Sequence, residues 1–378
     1  MLLIVKLTGE EPLLGFMLHN KTIAVVVPAY NEEQQIRLVL DTMPSFVDRI
    51  IIVNDCSTDN TEEAVSSYFE KAGQMPVPQP VVPTGPTLYN QSEILLARKC
   101  KEEWKKFPPH EIIQPNPEGR LVLINLKKNS GVGLAIAIGY KWAQAMQIYC
   151  TAVMAGDGQM DPAELESICT PVITENIDYV KGNRLIHRSA FDIIPRKRFL
   201  GNSILSIFTK IASGYWSVSD TQSGYTAISL KALKAINIPS IYPRYGMPND
   251  MLVKLNILSC SLREVESKPI YHVGEKSKLN INKVIAPISW LLFKSFFRRL
   301  YYKYLFRDFH PLFVLYHLSF VLLLSSIPYA IKLISLMFYE QPANPLTAMA
   351  FIFLSISGFQ ALLFAMWMDI QDNQRLYR

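Results

Sequence analysis

Cysteine is scarce in this chain, and the few cysteines do not form a recognisable site. The 378 residues include five cysteines, at positions 56, 100, 150, 169 and 260, and no CxxC pair occurs among them. Structural zinc sites and redox motifs use such close pairs, and secreted disulfide frameworks need a far higher cysteine content. The spacing therefore argues against zinc and disulfides and favours buried or idle thiols in a reducing compartment.

Charged residues are also few: 19% of the chain is Asp, Glu, Lys or Arg, whereas 49% is apolar. Such a composition favours a protein that lies partly in lipid. The net charge of +6 is too diffuse to indicate a nucleic-acid partner. It suits an anionic substrate or an anionic membrane surface instead.

No secretory signal is recognisable at the N-terminus. The segment MLLIVKLTGEEPLLGFMLHN has a short apolar start but no small-residue cleavage site. We therefore interpret residues 1–21 as an N-terminal extension of a domain that spans residues 22–280.

Strands alternate with helices through the first part of that domain. Short apolar runs that stop at turn residues are TIAVVVPAY, RIIIVND, RLVLINL and TAVMAGD. Stretches of helical period follow the first two runs and separate the last two. This alternation predicts an α/β fold with a mixed, mostly parallel sheet and helices on both faces. Ligands of such sheets bind beyond the carboxyl ends of the strands, where Asp55 and Asp157 lie.

Residues 73–119 interrupt this alternation with proline-rich sequence, namely QMPVPQPVVPTGP, KFPPH and QPNPEG. A stretch of helical period, SEILLARKCKEEWKKF, lies between the proline-rich parts. We expect an insertion that loops away from the edge of the sheet.

The composition changes again in the C-terminal part of the chain. INKVIAPISWLLFKSFFRRLYYKYLFR mixes aromatic and basic residues, which predicts amphipathic juxtamembrane helices over residues 281–311. Two apolar runs within residues 312–368 are long enough to span a bilayer. The loop between them, EQPANP, lacks Lys and Arg, whereas basic residues flank the pair on the other side. By the positive-inside rule the α/β domain and both termini, including a tail at residues 369–378, are expected in the cytoplasm.

The stretch AGDGQMDP places two carboxylates in a glycine turn after an apolar strand. Asp157 follows the strand directly, and Gln159 can add an amide oxygen. Mg²⁺ and Mn²⁺ prefer hard oxygen ligands and often bind through one or two carboxylates plus substrate phosphates. Asp161 is better placed to cap the helix that begins at Pro162.

Two further stretches, VVPAYNEE and NDCSTDNT, each join a strand to a helix. Acidic residues in the first helical turn, and Ser57 or Asp59 as a cap, explain both stretches without any ligand. Asp55, however, lies at the mouth of its strand, where a carboxylate can accept N–H bonds from a nucleobase.

Glycines 131, 133 and 139 recur in NSGVGLAIAIGYKWA. The GK[ST] of a phosphate-binding P-loop does not follow them. We interpret these glycines as a tight turn followed by close packing of a helix on the sheet.

The four stretches VVPAYNEE, NDCSTDNT, NSGVGLAIAIGYKWA and AGDGQMDP resemble, in order and spacing, the family-2 glycosyltransferases of the GT-A fold. The similarity is greatest to the polyprenyl-phosphate glycosyltransferases, the group that contains dolichol-phosphate mannose synthase. It continues through YVKGNRL, IPRKRFLGNSILSIFTKIASGYWSVSDTQSGYTAIS, YGMPNDMLVKLNI and YHVGEKSKL, and so covers roughly residues 22–280.

The resemblance implies an inverting, metal-dependent hexosyltransferase with a UDP- or GDP-linked sugar donor. Asp55 would read the base, and the other donor-binding residues that it implies are Pro28, Tyr30, Glu32, Asn129 and Asp157. Asp157 and Gln159 would hold Mg²⁺ or Mn²⁺ on the diphosphate. The family often has Asp-x-Asp where this chain has Ala155, Gly156 and Asp157, which leaves Asp157 as the single strong metal ligand.

The chemistry of the acceptor site follows from charge. A lipid phosphate, with a second pKa of about 6, is largely anionic at pH 7 and needs cations rather than a general base. The candidate cations for the acceptor phosphate are Arg184, Arg196, Arg198, His272 and Lys276. Arg184 leads them because it ends a strand at the ligand-binding edge. The catalytic candidates are Asp157, Arg184, Asp220 and Asp250; Asp220 would orient the cations, and Asp250 would do the same or serve as base for a hydroxyl acceptor.

We therefore expect a membrane-anchored enzyme that transfers a sugar from a nucleotide to a polyprenyl phosphate, dolichyl or undecaprenyl, on the cytoplasmic leaflet. Two alternatives stay open. One is a family-2 enzyme with a hydroxyl acceptor on a glycan, lipid or protein, and the other is a non-catalytic membrane subunit that binds nucleotide. The sequence also leaves open the sugar, the nucleotide, the lipid length and whether the chain forms a homo-oligomer.

Overall fold

The computed structural model describes residues 18–73, 85, 87, 90–194, 196–270 and 281–378. The N-terminal extension up to residue 17, part of the proline-rich insertion and residues 271–280 lie outside these ranges. The acceptor candidates His272 and Lys276 therefore lie outside the described residues.

Strands and helices alternate as the sequence predicts. The strands are β1 (Ile23–Ala29), β2 (Arg49–Asn54), β3 (His110–Ile113), β4 (Leu121–Leu126), β5 (Cys150–Val153), β6 (Tyr179–Asn183), β7 (Thr226–Ser229) and β8 (Leu262–Glu266). The helices are α1 (Glu33–Asp41), α2 (Thr61–Ser66), α3 (Gln91–Trp104), α4 (Val132–Ala145), α5 (Leu165–Thr174), α6 (Ala190–Ile193), α7 (Arg196–Ser213), α8 (Leu230–Ala235), α9 (Met247–Ile257), α10 (Ile281–Tyr301), α11 (Pro311–Phe338) and α12 (Pro345–Gln374). Tyr302–Arg307 continues α10 as a π-helix, and 3₁₀ turns occur at Leu18–Asn20, Pro162–Glu164 and Ile238–Ser240.

The chain divides into two compact units. The first unit is Met1–Asn176 with Ala227–Leu230, and the second is Ile177–Thr226 with Lys231–Arg378.

A sheet with the strand order β3-β4-β2-β1-β5-β7 forms the first unit. β1 pairs in parallel with β2 and β5, and β2 pairs in parallel with β4. Every residue of β1 is buried, as expected where helices cover both faces of a parallel sheet. The predicted mixed, mostly parallel sheet is confirmed.

Helix α4 packs directly on β1. A Cβ atom at Gly139 would lie 2.4 Å from Cγ1 of Val26, so only glycine permits this approach. At the other end, Gly131 precedes α4 with φ 95° and ψ 153°, a conformation essentially restricted to glycine. Both glycines act as the sequence predicts, one in close packing and one in a tight turn.

The proline-rich insertion is partly folded. Its helical stretch forms α3, but β3 was not expected from the sequence. β3 pairs antiparallel with β4, so this part of the insertion extends the sheet rather than looping away from it. HEII is short and flanked by prolines, which are tolerated at the edge of a sheet but hide the pattern of a strand.

In the second unit, β6 and β8 pair in parallel. Helices α7, α9 and α10 and the nearby ends of α11 and α12 enclose an apolar cluster. Its members include Ala212, Val253, Leu292, Phe296, Leu300, Tyr304, Leu312, Tyr316 and Ala365.

Helices α11 and α12 are the two helices expected to span a membrane. They have 28 and 30 residues, and their most apolar windows have mean hydropathies of 1.9 and 2.0. At about 1.5 Å per residue, each is longer than the ~30 Å hydrocarbon core of a bilayer. Only 6% and 17% of these windows is buried, so their apolar side chains are largely available for contact with lipid.

Two basic residues of the juxtamembrane part are buried, whereas Lys294 and Arg307 are exposed as expected of an interfacial surface. The buried residues are Arg299 and Lys303. The Arg299 guanidinium donates to both oxygens of Asp369 at 2.7 Å, and Lys303 Nζ lies 3.3 Å from Asp372. A buried cation needs a carboxylate partner. Helix α12 supplies both partners because it continues to Gln374, beyond the start of the expected tail at residue 369.

Candidate functional site

The loops that follow β1 and β2 are tied together at the edge where the donor is expected. The Asn31 N–H donates to Ser57 Oγ at 3.0 Å, and the Thr58 N–H donates to Asn31 Oδ1 at 2.8 Å. Asn31 and Cys56 have φ angles of 54° and 60°. Such left-handed conformations cost non-glycine residues about 1–3 kcal/mol and cluster at ligand sites.

Asp55 ties the same edge to the start of α4. Its two carboxylate oxygens accept the backbone N–H groups of Ser130 and Gly131 at 2.7 and 2.8 Å. The residue is 4% exposed. Asp55 thus shapes the turn before α4, a structural role that its sequence position did not reveal.

The other donor candidates lie at the ends of neighbouring strands in the first unit. Pro28 is buried within β1, and Tyr30 and Glu32 are partly exposed in the loop after it. The Glu32 N–H donates to Thr61 Oγ1 at 3.0 Å. Asn129 is exposed shortly after β4.

The metal candidates lie in the turn after β5. Asp157 Oδ1 accepts the backbone N–H of Gln159 at 3.0 Å, and both residues are partly exposed. Within the described part of the chain, no group of three or more His, Cys, Asp and Glu side chains is placed to hold a metal ion. One carboxylate and one amide still fit Mg²⁺ or Mn²⁺, which complete their coordination with substrate phosphates and water.

The cap assignment of Asp161 is confirmed. Its Oδ1 accepts the N–H of Ala163 at 2.9 Å, and Pro162 occupies the first position of the 3₁₀ turn that leads into α5. Proline suits this position because its missing N–H would have had no partner there.

Arg184 and Asp220 form a bidentate ion pair in the second unit. Arg184 Nε lies 2.8 Å from Asp220 Oδ2, and Nη2 lies 3.1 Å from Oδ1. The Arg184 side chain is 27% exposed, whereas that of Asp220 is 3% exposed. Burial alone would raise the pKa of Asp220, but the Arg184 charge and its hydrogen bonds hold the pKa below its usual value. Two hydrogen bonds thus fix the Arg184 guanidinium against Asp220, which is the geometry expected if Asp220 orients a cation.

Two further charged residues, Lys181 and Glu264, lie near the Arg184–Asp220 pair; the sequence did not single them out. Lys181 on β6 lies opposite Glu264 on β8 in the strand register. Burial lowers the pKa of Lys181 to about 8, against the opposing effects of Asp220 and Glu264. Glu264 accepts the N–H groups of Ser219 and Asp220 at 2.8 and 2.9 Å. A lysine inside the apolar strand YVKGN was the available signal, because buried lysines need partners.

Asn249 is a further residue that the sequence did not single out. Its Oδ1 accepts Gln222 Nε2 at 2.8 Å and Thr209 Oγ1 at 3.1 Å. The loop after Asp220 is thereby held against α9 and α7.

Asp250 lies beside Asn249 but has different partners. It is 2% exposed. Its carboxylate pairs with Lys254 and with Arg298 Nη2, the latter at 2.9 Å, and it accepts the Tyr242 N–H at 2.9 Å. Arg298 lies on α10, so Asp250 joins α9 to the juxtamembrane helix.

The other acceptor candidates lie at least partly outside the described residues. Arg196 and Arg198 lie in the first turn of α7, but their side chains, like the whole of His272 and Lys276, lie outside what the structure describes.

Comparison with known proteins identifies a matching family and several relatives. The model of the family Glycosyl transferase family 2 matches residues 24–77 and 110–237, and the residues between them fall inside the predicted insertion. A UDP-N-acetylglucosamine--dolichyl-phosphate N-acetylglucosaminyltransferase from Methanococcus voltae is 27% identical over 67% of this chain and 87% of its own length. A dolichyl-phosphate beta-glucosyltransferase from Dictyostelium discoideum is 23% identical over 68% of this chain and 71% of its own.

Among solved structures, glucosyl-3-phosphoglycerate synthase from Mycobacterium tuberculosis, in complex with Mn²⁺, UDP and glucosyl-3-phosphoglycerate, matches 74% of this chain and 80% of its own. The sequence identity is 17% and the TM-score is 0.45. The matched residues form a glycosyltransferase family 2 domain within this chain.

Proposed function

We propose that this protein is a membrane-anchored, inverting glycosyltransferase that transfers a sugar from a UDP-sugar to the phosphate of a polyprenyl phosphate. The observation that carries the proposal is the Arg184–Asp220 pair, a cation held by a buried carboxylate. It lies in the same compact unit as two helices of membrane-spanning length. A lipid acceptor explains why a transferase domain carries such helices.

The donor is assigned to the first unit. Asp55 would accept the N–H of the base, with Pro28, Tyr30, Glu32 and Asn129 around the nucleotide. The relative from Methanococcus voltae uses UDP-N-acetylglucosamine by its name, which favours UDP over GDP. Mg²⁺ or Mn²⁺, held by Asp157 and Gln159, would neutralise the charge that develops on the diphosphate leaving group.

The acceptor is assigned to Arg184. Asp220 accepts hydrogen bonds from Nε and Nη2 of Arg184, and part of the Arg184 side chain stays exposed. The guanidinium therefore keeps one orientation and can still bind an anion. A phosphate oxygen bonds to the anomeric carbon as the bond from that carbon to the nucleoside diphosphate breaks. Because the phosphate is already ionised, the transfer needs no general base.

A hydroxyl acceptor finds less support. It would need a base, and Asp250 was the candidate. This carboxylate is buried and paired with two cations on α9 and α10, which suits a link between helices better than proton abstraction from a substrate.

The orientation in the membrane completes the proposal. The connection between α11 and α12 lacks Lys and Arg, whereas basic residues lie before α11 and after α12. By the positive-inside rule, the transferase domain and both termini would face the cytoplasm.

The test is transfer from labelled donors. Membranes containing the protein are incubated with labelled UDP-N-acetylglucosamine, UDP-glucose or GDP-mannose and dolichyl phosphate, and the lipid extract is analysed. We expect label in an acid-labile glycolipid from a UDP-sugar, and none with the matched variant Asp157→Asn. Donor hydrolysis without any labelled lipid would contradict the proposed acceptor. Absence of both hydrolysis and labelled lipid would contradict the proposal that the protein is a glycosyltransferase.

A further inference from the structure

The residues after α12 pair with β8. The Leu262 N–H donates to the carbonyl of Leu376 at 2.7 Å, and the Arg378 N–H donates to the carbonyl of Leu262 at 2.9 Å. Tyr377 forms a parallel bridge with Leu262, and Arg263 Nε donates to the Arg378 carbonyl at 2.9 Å. We name residues 376–378 the docking segment.

β8 is an edge strand: β6 is its neighbour on one side, and no other described strand lies on its other side. An edge strand carries unpaired backbone N–H and C=O groups and needs a cover. The docking segment covers one end of β8, at Leu262.

Glu264, two residues further along β8, connects this strand to the candidate acceptor site. Its carboxylate accepts the N–H groups of Ser219 and Asp220. The Tyr377 hydroxyl donates to Glu264 Oε2 at 3.4 Å. One carboxylate therefore joins the docking segment to the backbone that carries Asp220, and Asp220 in turn holds Arg184.

Helix α12 delivers the docking segment to β8. Its last turns are held by buried polar contacts: Arg299 binds Asp369, and Lys303 Nζ donates to Asn373 Oδ1 at 2.6 Å. Asn256 on α9 also donates to Asn373 Oδ1, at 2.7 Å. The end of a membrane-length helix is thus fixed to the unit that contains Arg184.

We propose that the docking segment is a positioning element of the acceptor site: it holds β8 so that Glu264 fixes the backbone at residues 219–220 and thereby orients Arg184. This inference rests on the proposed function, in which Arg184 binds the acceptor phosphate. It makes binding of the lipid phosphate dependent on correct docking of the end of α12.

The test uses a backbone variant with a matched control. Arg378→Pro removes the N–H that bonds to Leu262, whereas Arg378→Ala keeps that N–H and loses only an exposed side chain. Tyr377→Phe removes only the hydroxyl that reaches Glu264. We measure the KM for dolichyl phosphate, the KM for the UDP-sugar, kcat, and hydrogen exchange of the amides at residues 219–220.

We expect Arg378→Pro to raise the KM for dolichyl phosphate about three- to tenfold, the range of one or two lost hydrogen bonds. The KM for the UDP-sugar should stay at the wild-type value, and the amides of Ser219 and Asp220 should exchange faster. Tyr377→Phe should act in the same direction but less strongly, and Arg378→Ala should match the wild type.

A merely structural role would lower the amount of active enzyme without changing the KM for dolichyl phosphate selectively, and that result would overturn the inference. Unchanged exchange at residues 219–220 in Arg378→Pro would overturn it as well. If the wild type transfers no sugar to dolichyl phosphate, the proposed function fails, whereas the exchange measurement still decides whether the docking segment holds this backbone.

Discussion

Among single residues, Arg184 is the one that we propose binds the acceptor phosphate. Arg184→Ala removes charge-assisted hydrogen bonds worth about 1.5–3 kcal/mol, so the KM for polyprenyl phosphate should rise about ten- to hundredfold. Arg184→Lys should recover only part of the loss, because lysine lacks the planar fork that grips oxygens in pairs. Steady-state kinetics with varied acceptor measures both effects.

Hydrolysis of the UDP-sugar in the absence of acceptor serves as the control for Arg184, because the donor is assigned to the other unit. A fall in donor hydrolysis equal to the fall in transfer would show that Arg184→Ala damages the fold or the donor site instead.

Asp157 is the residue on which the metal assignment depends. Asp157→Asn removes the carboxylate that we propose as the single strong metal ligand, and transfer should fall about 100-fold or more, since metal stabilisation of a leaving group contributes several kcal/mol. Gln159→Ala should lose less, about tenfold, since water can replace a neutral ligand. Initial rates at saturating Mg²⁺ or Mn²⁺ measure the loss.

The matched control is Asp161→Asn. Asp161 is a neighbouring carboxylate that caps a helical turn, and asparagine caps such a turn equally well. It should keep nearly normal turnover. Near-normal turnover of Asp157→Asn would show that the metal lies elsewhere or is not needed.

The sequence predicts which residues lie at the ends of strands, but it does not predict which distant residues they contact. Asp55, Asp157 and Arg184 follow apolar strands, and a strand end is visible in a single segment. The neighbouring positions of Lys181 and Glu264 depend on the register of β6 against β8, strands far apart in the chain. The structural bonds of Asp55 to Ser130 and Gly131 are equally non-local, so no single segment reveals them.

Among the secondary-structure elements, α4 packs so closely on β1 that the contact depends on Gly139. Gly139→Ala places a Cβ against Val26 and should destabilise the protein by about 1–3 kcal/mol, the usual cost of overpacking. The Cβ atom that Gly201→Ala adds in α7 has no neighbouring heavy atom within 4 Å. It should stabilise its helix by up to about 1 kcal/mol.

Thermal unfolding of the purified protein compares these two substitutions, which make the same chemical change in two helices. Equal melting temperatures for the two variants would contradict the close contact between α4 and β1.

The elements with strong periodicity were the ones that the sequence predicted. β1, β2, β4, α4 and the two long apolar helices have unambiguous patterns. β3 has only four residues between prolines, so its pairing with β4 could not be expected. The burial of Arg299 and Lys303 also escaped prediction, because their carboxylate partners lie on α12, which sequence alone does not bring to α10.

For the molecule as a whole, the orientation in the membrane determines which nucleotide sugars it meets. Gln341 lies in the connection between α11 and α12, and Arg375 follows α12; both are exposed. In a background with Cys56 and Cys100 replaced by serine, Gln341→Cys should react with an impermeant maleimide added to intact cells. Arg375→Cys should react only after permeabilisation. The reverse pattern would place the transferase domain outside the cytoplasm.

The central claim is that the acceptor is a phosphate carried by a lipid. The most direct measurement compares transfer from the same UDP-sugar to dolichyl phosphate, to dolichol and to a free glycoside, in the wild type, over a range of pH. We expect transfer to dolichyl phosphate alone, declining below about pH 6 as the phosphate takes up a proton. Transfer to dolichol or to the glycoside at a rate equal to that for dolichyl phosphate would contradict the account.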